Sequence, residues 1–445
     1  MRLALVLGVG TALAGCQDAV APITDSGLDG GAPSVAMSRE FGQGRQLIKD
    51  QYIVVYRDGH NDVDARSARL MAGKSGKVKH AFKSGIKGFV GGMTAAEAAA
   101  IAADPSVAYV EQDQTVALGV AKPIKDTSGN NGNSGNSGNG GGNSGNSGKG
   151  GNNGKGGGNV SPTEPSVGTQ TPVPSWGLDR IDEGVKLLNN TYTYASTGEG
   201  VHVYIIDSGI RTSHVDFEGR ATADFSLIND GYGATGCNFH GTHVAGTVGG
   251  ASAGVAKKVR LHSVRVLDCN AMGTVGGVVA GIDWVIANRV MPAVINLSIT
   301  AGASQFFVDA VDRAVAAGIT VVAAAGNNGA DACDYSPANA PNALSVGSTT
   351  MADIASAYSN QGPCVDIMAP GQFIGSASNA DDVSFLYSNG TSMAAPHVTG
   401  VAALYLGKNP LAEPTVVRRQ ILESATPGAL SGLEMGTPNL ILRTP

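Results

Sequence analysis

The sequence predicts an α/β protein in two parts, a small α+β domain followed by a larger domain built on a mostly parallel sheet. The chain has 445 residues, which is too long for one ordinary domain. A tract rich in Gly, Asn and Ser at residues 128–159 separates two segments of ordinary composition. Beyond that tract, apolar runs alternate with helical patterns, which is typical of parallel strands joined by right-handed helical crossovers.

Charge and hydropathy exclude two classes of protein. Lys and Arg number 30 and Asp and Glu number 36, so the net charge is −6. This balance argues against a protein that binds nucleic acid through bulk positive charge. No apolar run in the sequence reaches the roughly 18–20 residues that span a bilayer. With 42% hydrophobic and 15% charged residues, the chain can bury a sizeable core.

The N-terminus predicts export. A short charged start and an apolar stretch at 3–13 indicate a signal peptide over residues 1–15. Ala-Leu-Ala at 12–14 fits an ordinary signal peptidase, whereas Leu-Ala-Gly-Cys at 13–16 resembles a bacterial lipobox, which would place a lipid on Cys16. We favour the lipobox because Cys16 is the only cysteine before Cys237. A buried N-terminal helix is the structural alternative.

The sequence predicts that residues 16–45 are a spacer and that residues 46–118 form a small α+β domain. β-Branched and aromatic residues indicate strands at 51–56 and 107–111. A helix is expected at 94–103, with Thr94 as its N-cap and Glu97 three residues later. Residues 119–168 are expected to form a flexible linker, because the Gly/Asn/Ser tract cannot bury enough apolar surface to order itself.

The second domain is predicted over residues 169–445. In parallel sheets of this kind, functional sites gather at the carboxyl ends of the strands. The expected strands are 201–206, 260–267, 292–298 and 319–325, and the expected helices lie near 241–250, 275–289, 305–317 and 392–406.

Three short motifs predict nucleophilic catalysis. Asp207 follows an apolar strand directly, His240 precedes Gly-Thr-His, and Ser392 follows Asn-Gly-Thr. A serine hydroxyl is a weak nucleophile and needs a base, for which an imidazole with a pKa near 6.5 is suited. A carboxylate on the other imidazole nitrogen fixes the tautomer and stabilises the imidazolium ion. Ser392 is expected to open a helix, whose N-terminus favours a developing oxyanion.

A fourth residue, Asn327, follows Gly326 at the end of another predicted strand, and its amide could donate to the same oxyanion. Taken singly, an Asp after a strand is usually a turn residue and a Gly-Thr-Ser a helix cap. The four residues together, in this order, indicate a catalytic site. The remaining histidines of interest are expected to be structural or exposed: His214, His243, His262 and His397.

With these motifs the chain resembles the subtilase serine proteases over residues 169–445, in particular the proteinase K and aqualysin branch. The branch is indicated by Trp-Gly-Leu-Asp-Arg-Ile-Asp at 176–182, Gly-Val-Ala at 254–256 and Val-Leu-Asp-Cys-Asn at 266–270. The resemblance implies a subtilisin-like three-layer αβα fold. It implies Asp207 as the orienting acid, His240 as general base and acid, Ser392 as nucleophile and Asn327 as oxyanion donor.

Residues 46–118 resemble the ferredoxin-like propeptide domain of that family, through Tyr-Ile-Val at 52–54, Lys-Gly-Phe at 87–89 and the segment 105–113. The resemblance implies that the chain's own propeptide is its inhibitor and folding chaperone. A parallel sheet has many non-local contacts and folds slowly, so a folding template is physically useful.

The resemblance also implies two disulfides. The four cysteines after Cys16 allow three pairings. The aqualysin-like pattern pairs Cys237 with Cys269 and Cys333 with Cys364. Free buried thiols are the alternative, which export to an oxidising compartment disfavours.

Structural Ca²⁺ is expected from the resemblance, with no cofactor for catalysis. One site would use the carbonyl groups of Pro341 and Ala343 and the carboxylate of Asp366. A second would use Asp179, Asp182 and the neighbouring Glu183, which could equally form a surface turn.

Two predicted substrate-binding segments depart from the family pattern. Ser298, Ile299, Thr300 and Ala301 stand where Ser-Leu-Gly-Gly is usual. Similarly, Ala271, Met272 and Gly273 replace Gly-Ser-Gly. Both segments would pair with an extended peptide, together with Gly326. Because segments 298–301 and 323–327 carry no acidic residue, broad specificity with an apolar or aromatic P1 residue is expected.

The expected function is therefore an exported serine endopeptidase, acting on protein and peptide substrates as a monomer, made as a zymogen that cuts itself somewhere in residues 119–170. The only membrane contact expected is through a lipid on Cys16 of the precursor. That lipid would anchor the propeptide, and the linker would let the protease leave it after the cut. Two rival functions are a binding protein on an inactive protease scaffold and an esterase or acyltransferase with the same triad.

Overall fold

The computed structural model describes residues 46–118 and 168–445. The predicted signal peptide, Cys16, the spacer at 16–45 and almost all of the predicted linker lie outside the described residues. We call residues 46–118 the N-terminal domain and residues 168–445 the C-terminal domain.

The N-terminal domain is an antiparallel sheet with two helices, in strand order β4-β1-β3-β2. Thr94 caps the second helix and exchanges hydrogen bonds with Glu97, as the sequence predicts. Its elements are β1 (Leu47–Tyr56), α1 (Val63–Met71), β2 (Val78–Phe82), β3 (Gly88–Gly92), α2 (Ala95–Ala102) and β4 (Val107–Ala117).

Alternation along β1 gives this small sheet two buried faces. Tyr52, Val54 and Tyr56 pack with α1 and α2 in one apolar cluster. Ile53 and Val55 point the other way and join a cluster formed mainly by the C-terminal domain. The N-terminal domain is therefore docked on the C-terminal domain through apolar side chains on one face of β1, while the other face of β1 packs on its own helices.

The C-terminal domain has sixteen more strand segments and six more helices among its described residues. Its first elements are β5 (Gly168–Gln170), α3 (Trp176–Ile181), β6 (Tyr192–Tyr194), β7 (His202–Asp207), β8 (Ala221–Ser226), α4 (His240–Gly249), β9 (Arg260–Arg265), β10 (Met272–Thr274), α5 (Val275–Asn288), β11 (Ala293–Leu297) and β12 (Ala301–Gly302). The later ones are α6 (Gln305–Ala316), β13 (Thr320–Ala324), β14 (Tyr335–Ser336), β15 (Leu344–Thr349), β16 (Ile367–Pro370), β17 (Ile374–Ala377), β18 (Phe385–Ser388), α7 (Thr391–Lys408), α8 (Pro414–Ser424), β19 (Thr426–Pro427) and β20 (Leu440–Ile441).

Nine of these strands form one sheet in the order β19-β20-β16-β15-β13-β11-β7-β9-β8. Every pairing in it is parallel except that of β19 with β20. Val203 and Ile205 of β7 pack with α4 and α7, whereas Tyr204 and Ile206 pack with α5 and α6. Helices thus cover both faces, and the predicted three-layer αβα architecture is confirmed.

Two disulfides hold loops around this sheet. Cys237 is bonded to Cys269, and Cys333 to Cys364, in the pairing that the resemblance implies. Their sequence separations of 32 and 31 residues correspond to about 3–4 kcal/mol of stabilisation each in the chain-entropy treatment. Among the helices of the described ranges, none has the length and apolar content needed to cross a lipid bilayer.

Candidate active site

Asp207 and His240 form a buried hydrogen-bonded pair. Asp207 ends β7 and His240 begins α4, so the parallel sheet and its crossover helix bring them together. Nδ1 of His240 lies 2.9 Å from both carboxylate oxygens of Asp207, and both side chains are fully buried. Oδ1 of Asp207 also accepts a hydrogen bond from the backbone N–H of Ser208 at 2.6 Å. This pairing holds the proton on Nδ1 and leaves Nε2 as the atom able to accept one.

Ser392 is the second residue of α7 and is buried. Its hydroxyl donates to the carbonyl of Ser298 at 3.1 Å, and the hydroxyl of Ser298 donates in turn to the carbonyl of Ser392 at 2.9 Å. Nε2 of His240 has no hydrogen-bond partner within residues 46–118 and 168–445. In this conformation, the serine hydroxyl is therefore directed at Ser298 instead of the imidazole. Such a difference is common before substrate binds.

Asn327 lies beyond the end of β13, and Thr391 orients its amide. Oδ1 of Asn327 accepts hydrogen bonds from the backbone N–H of Thr391 at 2.8 Å and from its hydroxyl at 3.1 Å. Because a backbone N–H can only donate, the amide oxygen must face Thr391, and Nδ2 lies on the other side of the amide. Oγ1 of Thr391 also accepts from the N–H of Gly326 at 3.1 Å. Thr391 is not among the site residues predicted from the sequence, although it adjoins Ser392.

A buried chain of polar side chains behind Ser392 was also missed. Thr399 of α7 donates to Asn296 of β11 at 2.8 Å, and the amide of Asn296 donates to Ser298 at 2.9 Å. All three side chains are fully buried. The available signal was Asn296 itself, because an amide inside an otherwise apolar strand needs hydrogen-bond partners.

The neighbouring histidines have structural contacts. Burial lowers the pKa of His243 to about 3 and that of His397 to about 4, and both bond backbone carbonyl groups, those of Ile374 and Met393. His214 contacts the backbone of residues 216 and 384. His262 bonds His202 and Asp224. These four histidines fit the structural role expected of them.

The last strand of the N-terminal domain occupies one predicted substrate-binding segment. β4 pairs antiparallel with β10, so that Ala117 lies opposite Met272 and Val116 opposite Gly273. The side-chain amide of Gln114 donates to the carbonyl of Gly302, beside the other predicted segment, at 3.2 Å. Leu118, the last described residue before the gap, packs on the apolar cluster of the C-terminal domain. This strand therefore lies where an extended peptide substrate would pair.

Carboxylates of the N-terminal domain also bind helix N-termini of the C-terminal domain. Glu111 accepts from the N–H of Phe306 in α6 at 3.2 Å, and Asp113 from the N–H of Gly276 in α5 at 3.1 Å. The positive end of each helix dipole stabilises these charges. In the opposite direction, Asp283 of α5 accepts three backbone hydrogen bonds, from Lys83, Ser84 and Gly85, at 2.9, 2.8 and 2.6 Å.

Other predicted substrate-binding residues adjoin the nucleophile. Ile299 is buried, and the methyl group of Thr300 faces Gly326. Ala271 has φ of +62°, a left-handed conformation that explains the glycine usual in the family at this position.

The acidic cluster of Asp179, Asp182 and Glu183 fits a cation. One carboxylate oxygen of each lies within 4.8 Å of the others. Oδ1 of Asp182 is buried without a hydrogen-bond partner in the described part of the chain. Burial, and then the charges of Glu183 and Asp179, raise the pKa of Asp182 to about 6. A bound cation would satisfy the orphaned oxygen and relieve the repulsion.

The other predicted calcium site does not fit. One oxygen of Asp366 forms an ion pair with the guanidinium group of Arg418, and the other accepts from the N–H of Ser345 at 2.9 Å. A fixed positive charge in the ligand position of a cation opposes Ca²⁺ binding. The carbonyl groups of Pro341 and Ala343 would therefore lack the carboxylate on which the site depends.

Comparison with known proteins identifies the family. The subtilase family model matches residues 198–437, and the model for peptidase inhibitor I9 matches residues 51–119. An extracellular serine proteinase of Thermus sp. (strain Rt41A) is 38% identical over 420 residues, which cover 90% of each chain. Alkaline serine exoprotease A of Vibrio alginolyticus is 37% identical over 405 residues, covering 89% of this chain and 67% of that protein.

The chain is also similar to the solved structure of a subtilisin-like protease. The crystal structure of a cold adapted subtilisin-like serine proteinase is 43% identical, with a TM-score of 0.59, and the match covers 61% of this chain and 98% of the other. On these matches, which agree with the mostly parallel nine-stranded sheet and the buried Asp207–His240 pair, the chain belongs to the subtilase family of serine proteases and carries an I9-type inhibitor propeptide ahead of its protease domain.

Proposed function

We propose that this subtilisin-like protease is an exported, monomeric endopeptidase that cuts peptide bonds through an acyl-enzyme on Ser392 and activates itself by cutting its own chain. The observation that carries this proposal is the buried Asp207–His240 pair, which the fold supplies together with Ser392 at the N-terminus of α7 and an amide of Asn327 oriented by the adjoining Thr391. Relatives named as extracellular proteinases support export.

The reaction starts with the Ser392 hydroxyl turning from the Ser298 carbonyl toward Nε2 of His240. Oγ attacks the carbonyl carbon of the peptide bond while its proton passes to Nε2. Asp207 stabilises the imidazolium ion through Nδ1. Nδ2 of Asn327 and the backbone N–H of Ser392 donate to the oxyanion. The tetrahedral intermediate then collapses, His240 protonates the leaving amine, and water releases the acyl group by the same steps.

The test compares the intact masses of purified protein with and without Ser392→Ala. The wild type should yield a shortened protease and degrade casein, whereas the variant should keep its propeptide and remain folded. If both proteins stay uncut although folded, the inactive binding scaffold gains support. Hydrolysis of esters but not of casein would favour the esterase or acyltransferase.

The first cut should fall within a few residues of Leu118. β4 pairs with β10, a predicted substrate-binding segment, as far as Ala117, and Leu118 packs on the C-terminal domain, so this part of the chain already lies as a bound substrate would. The Gly/Asn/Ser tract would then stay on the released protease, while Cys16 stays with the propeptide. N-terminal sequencing tests the position. A lipid on Cys16 would leave the propeptide in the membrane fraction and the protease in the supernatant, and a membrane-bound mature protease would contradict this scheme.

For specificity, we propose an apolar P1 residue and broad tolerance beyond it. Segments 298–301 and 323–327, which border the nucleophile, contain no charged residue to select a charged P1 side chain. Aliphatic and aromatic P1 residues are both expected from the sequence, and hydrolysis rates of peptide substrates that differ only at P1 would distinguish them.

For calcium, we propose a structural ion held by Asp179, Asp182 and Glu183, where it would neutralise three clustered carboxylates. Added Ca²⁺ should raise the melting temperature of inactive Ser392→Ala protein, and Asp182→Asn should reduce that increase. An equal calcium response in both proteins would contradict this assignment.

A further inference from the structure

Two chain segments border the place where a P1 side chain must enter. Residues 298–301 follow β11 and contact Ser392 through Ser298, while residues 325–327 follow β13 and contact Thr391 through Asn327. A peptide whose carbonyl carbon reaches Oγ of Ser392, with its oxygen on Asn327, directs its P1 side chain between these segments. Their separation therefore limits the size of that side chain.

At Gly326 and Thr300 the two segments nearly touch. A Cβ placed on Gly326 would lie 3.2 Å from the methyl carbon Cγ2 of Thr300. One bond length, about 1.5 Å, separates that position from the real Cα. The methyl carbon is consequently no more than about 4.7 Å from the Cα of Gly326.

Gly326 also packs closely against Asn360. A Cβ placed on Gly326 would lie too close to Nδ2 of the Asn360 amide for two nonbonded atoms. That amide is fully buried and held by three hydrogen bonds. It donates to Ala325 at 2.9 Å and accepts from Asn328 at 2.9 Å and Ala330 at 3.1 Å. These bonds fix the backbone on both sides of Gly326, from Ala325 to Ala330.

An aromatic ring does not fit between these walls. Carbon atoms in contact lie about 3.5–4.0 Å apart, so a ring with a wall on each face needs about 7–8 Å between the walls. The separation at Thr300 is well below that. A short side chain such as that of alanine stays in front of the methyl group and does not have to pass it.

We propose that Thr300 sets the size limit of the S1 pocket, so that this protease prefers small aliphatic P1 residues and disfavours aromatic ones. The inference rests on the proposed endopeptidase function and narrows its apolar P1 preference. The chain's own sequence agrees with it. Gly119, Val120 and Ala121, which follow Leu118 and lie outside the described residues, have no side chain larger than that of valine.

The experiment measures kcat/KM for three p-nitroanilide peptides that share P4–P2 and carry Ala, Leu or Phe at P1. The wild type should favour Ala over Phe by about 10-fold or more, in the range expected for steric discrimination in an apolar pocket. Thr300→Ser removes only the methyl group and should raise kcat/KM for Phe by about 10-fold, with less than about 3-fold change for Ala. Thr300→Val retains both branches at Cβ and should keep the preference of the wild type for Ala.

The outcomes separate this inference from the proposed function. Hydrolysis of these peptides with Phe preferred by the wild type would overturn the inference alone. An unchanged Ala-to-Phe ratio in Thr300→Ser would do the same. Failure of the folded wild type to hydrolyse any peptide or casein would overturn the proposed function, and this inference with it.

Discussion

Replacing Thr391 with valine should weaken oxyanion stabilisation without touching the catalytic triad. The substitution keeps the shape of the side chain and removes its hydroxyl group, which donates to Asn327 at 3.1 Å and accepts from the N–H of Gly326 at 3.1 Å. The backbone hydrogen bond from Thr391 to Asn327, at 2.8 Å, survives. The Asn327 amide thus loses one of the hydrogen bonds that orient it.

The size of the effect follows from these contacts. Leaving the Gly326 N–H unsatisfied costs about 1–3 kcal/mol of folding stability. Removing an oxyanion donor outright costs about 10²–10³ in kcat in subtilisin, a relative of this protein. Because Asn327 keeps its backbone contact, we expect a smaller loss of about 10-fold in kcat, or about 1.4 kcal/mol, with KM nearly unchanged.

The assay is a double-mutant cycle on peptide hydrolysis. Thr391→Val should lower kcat in the wild type and have little further effect when Asn327 is already alanine. Thr349→Val is the matched control, because the hydroxyl of Thr349 is buried without a hydrogen-bond partner in the described ranges. An equal loss of kcat from Thr391→Val in both backgrounds would refute the argument, since Thr391 would then act through another group.

Two further predictions concern stability and are measured in the inactive Ser392→Ala protein to avoid autolysis. His243 and His397 have folded-state pKa values near 3 and 4, below the ordinary 6.5, so protons favour the unfolded chain. The free energy of unfolding should therefore fall as the pH drops from about 6.5 toward 4, each histidine adding up to about 1.4 kcal/mol per pH unit, and His397→Gln should make this decline shallower. A decline equally steep in that variant would contradict the assignment. Arg418→Ala leaves the carboxylate of Asp366 unpaired, and since the Arg418 side chain is 38% exposed, the expected loss is about 1–3 kcal/mol, partly restored by Ca²⁺. Arg419→Ala is the control, because it removes only an exposed 4.0 Å ion pair and should lower the free energy of unfolding by less than about 0.5 kcal/mol. Both variants are measured by denaturant unfolding. Equal losses of stability in the two would show that Asp366 does not depend on Arg418.

The sequence predicts best those features whose residues lie close together along the chain. Asp207, His240 and Ser392 each begin or end an element that a local pattern identifies, and the parallel topology then brings those ends together. The helix at Ala95–Ala102 is likewise predictable from its capping pair. Local chemistry therefore identifies the components of the site.

Long-range contacts could not be predicted in the same way. Arg418 reaches Asp366 across 52 positions, and nothing near Asp366 indicates a neighbouring guanidinium group. The polar chain from Thr399 through Asn296 is similarly visible only after folding. Strands β15 and β16 were not predicted, because one contains Ser, Gly and Thr between its apolar residues and the other ends in proline, although both are buried throughout.

The pairing of β4 with β10 has a consequence for the timing of activation. β10 is the edge strand of the propeptide sheet and also a predicted substrate-binding segment, so a substrate that pairs there as predicted would compete with the propeptide for the same backbone hydrogen bonds. While both domains belong to one chain, the propeptide is present at an effective concentration in the millimolar range. Cutting the chain converts this intramolecular contact into a bimolecular equilibrium. Protease activity should therefore appear sooner after cutting when the protein is diluted, so that dilution itself acts as a trigger.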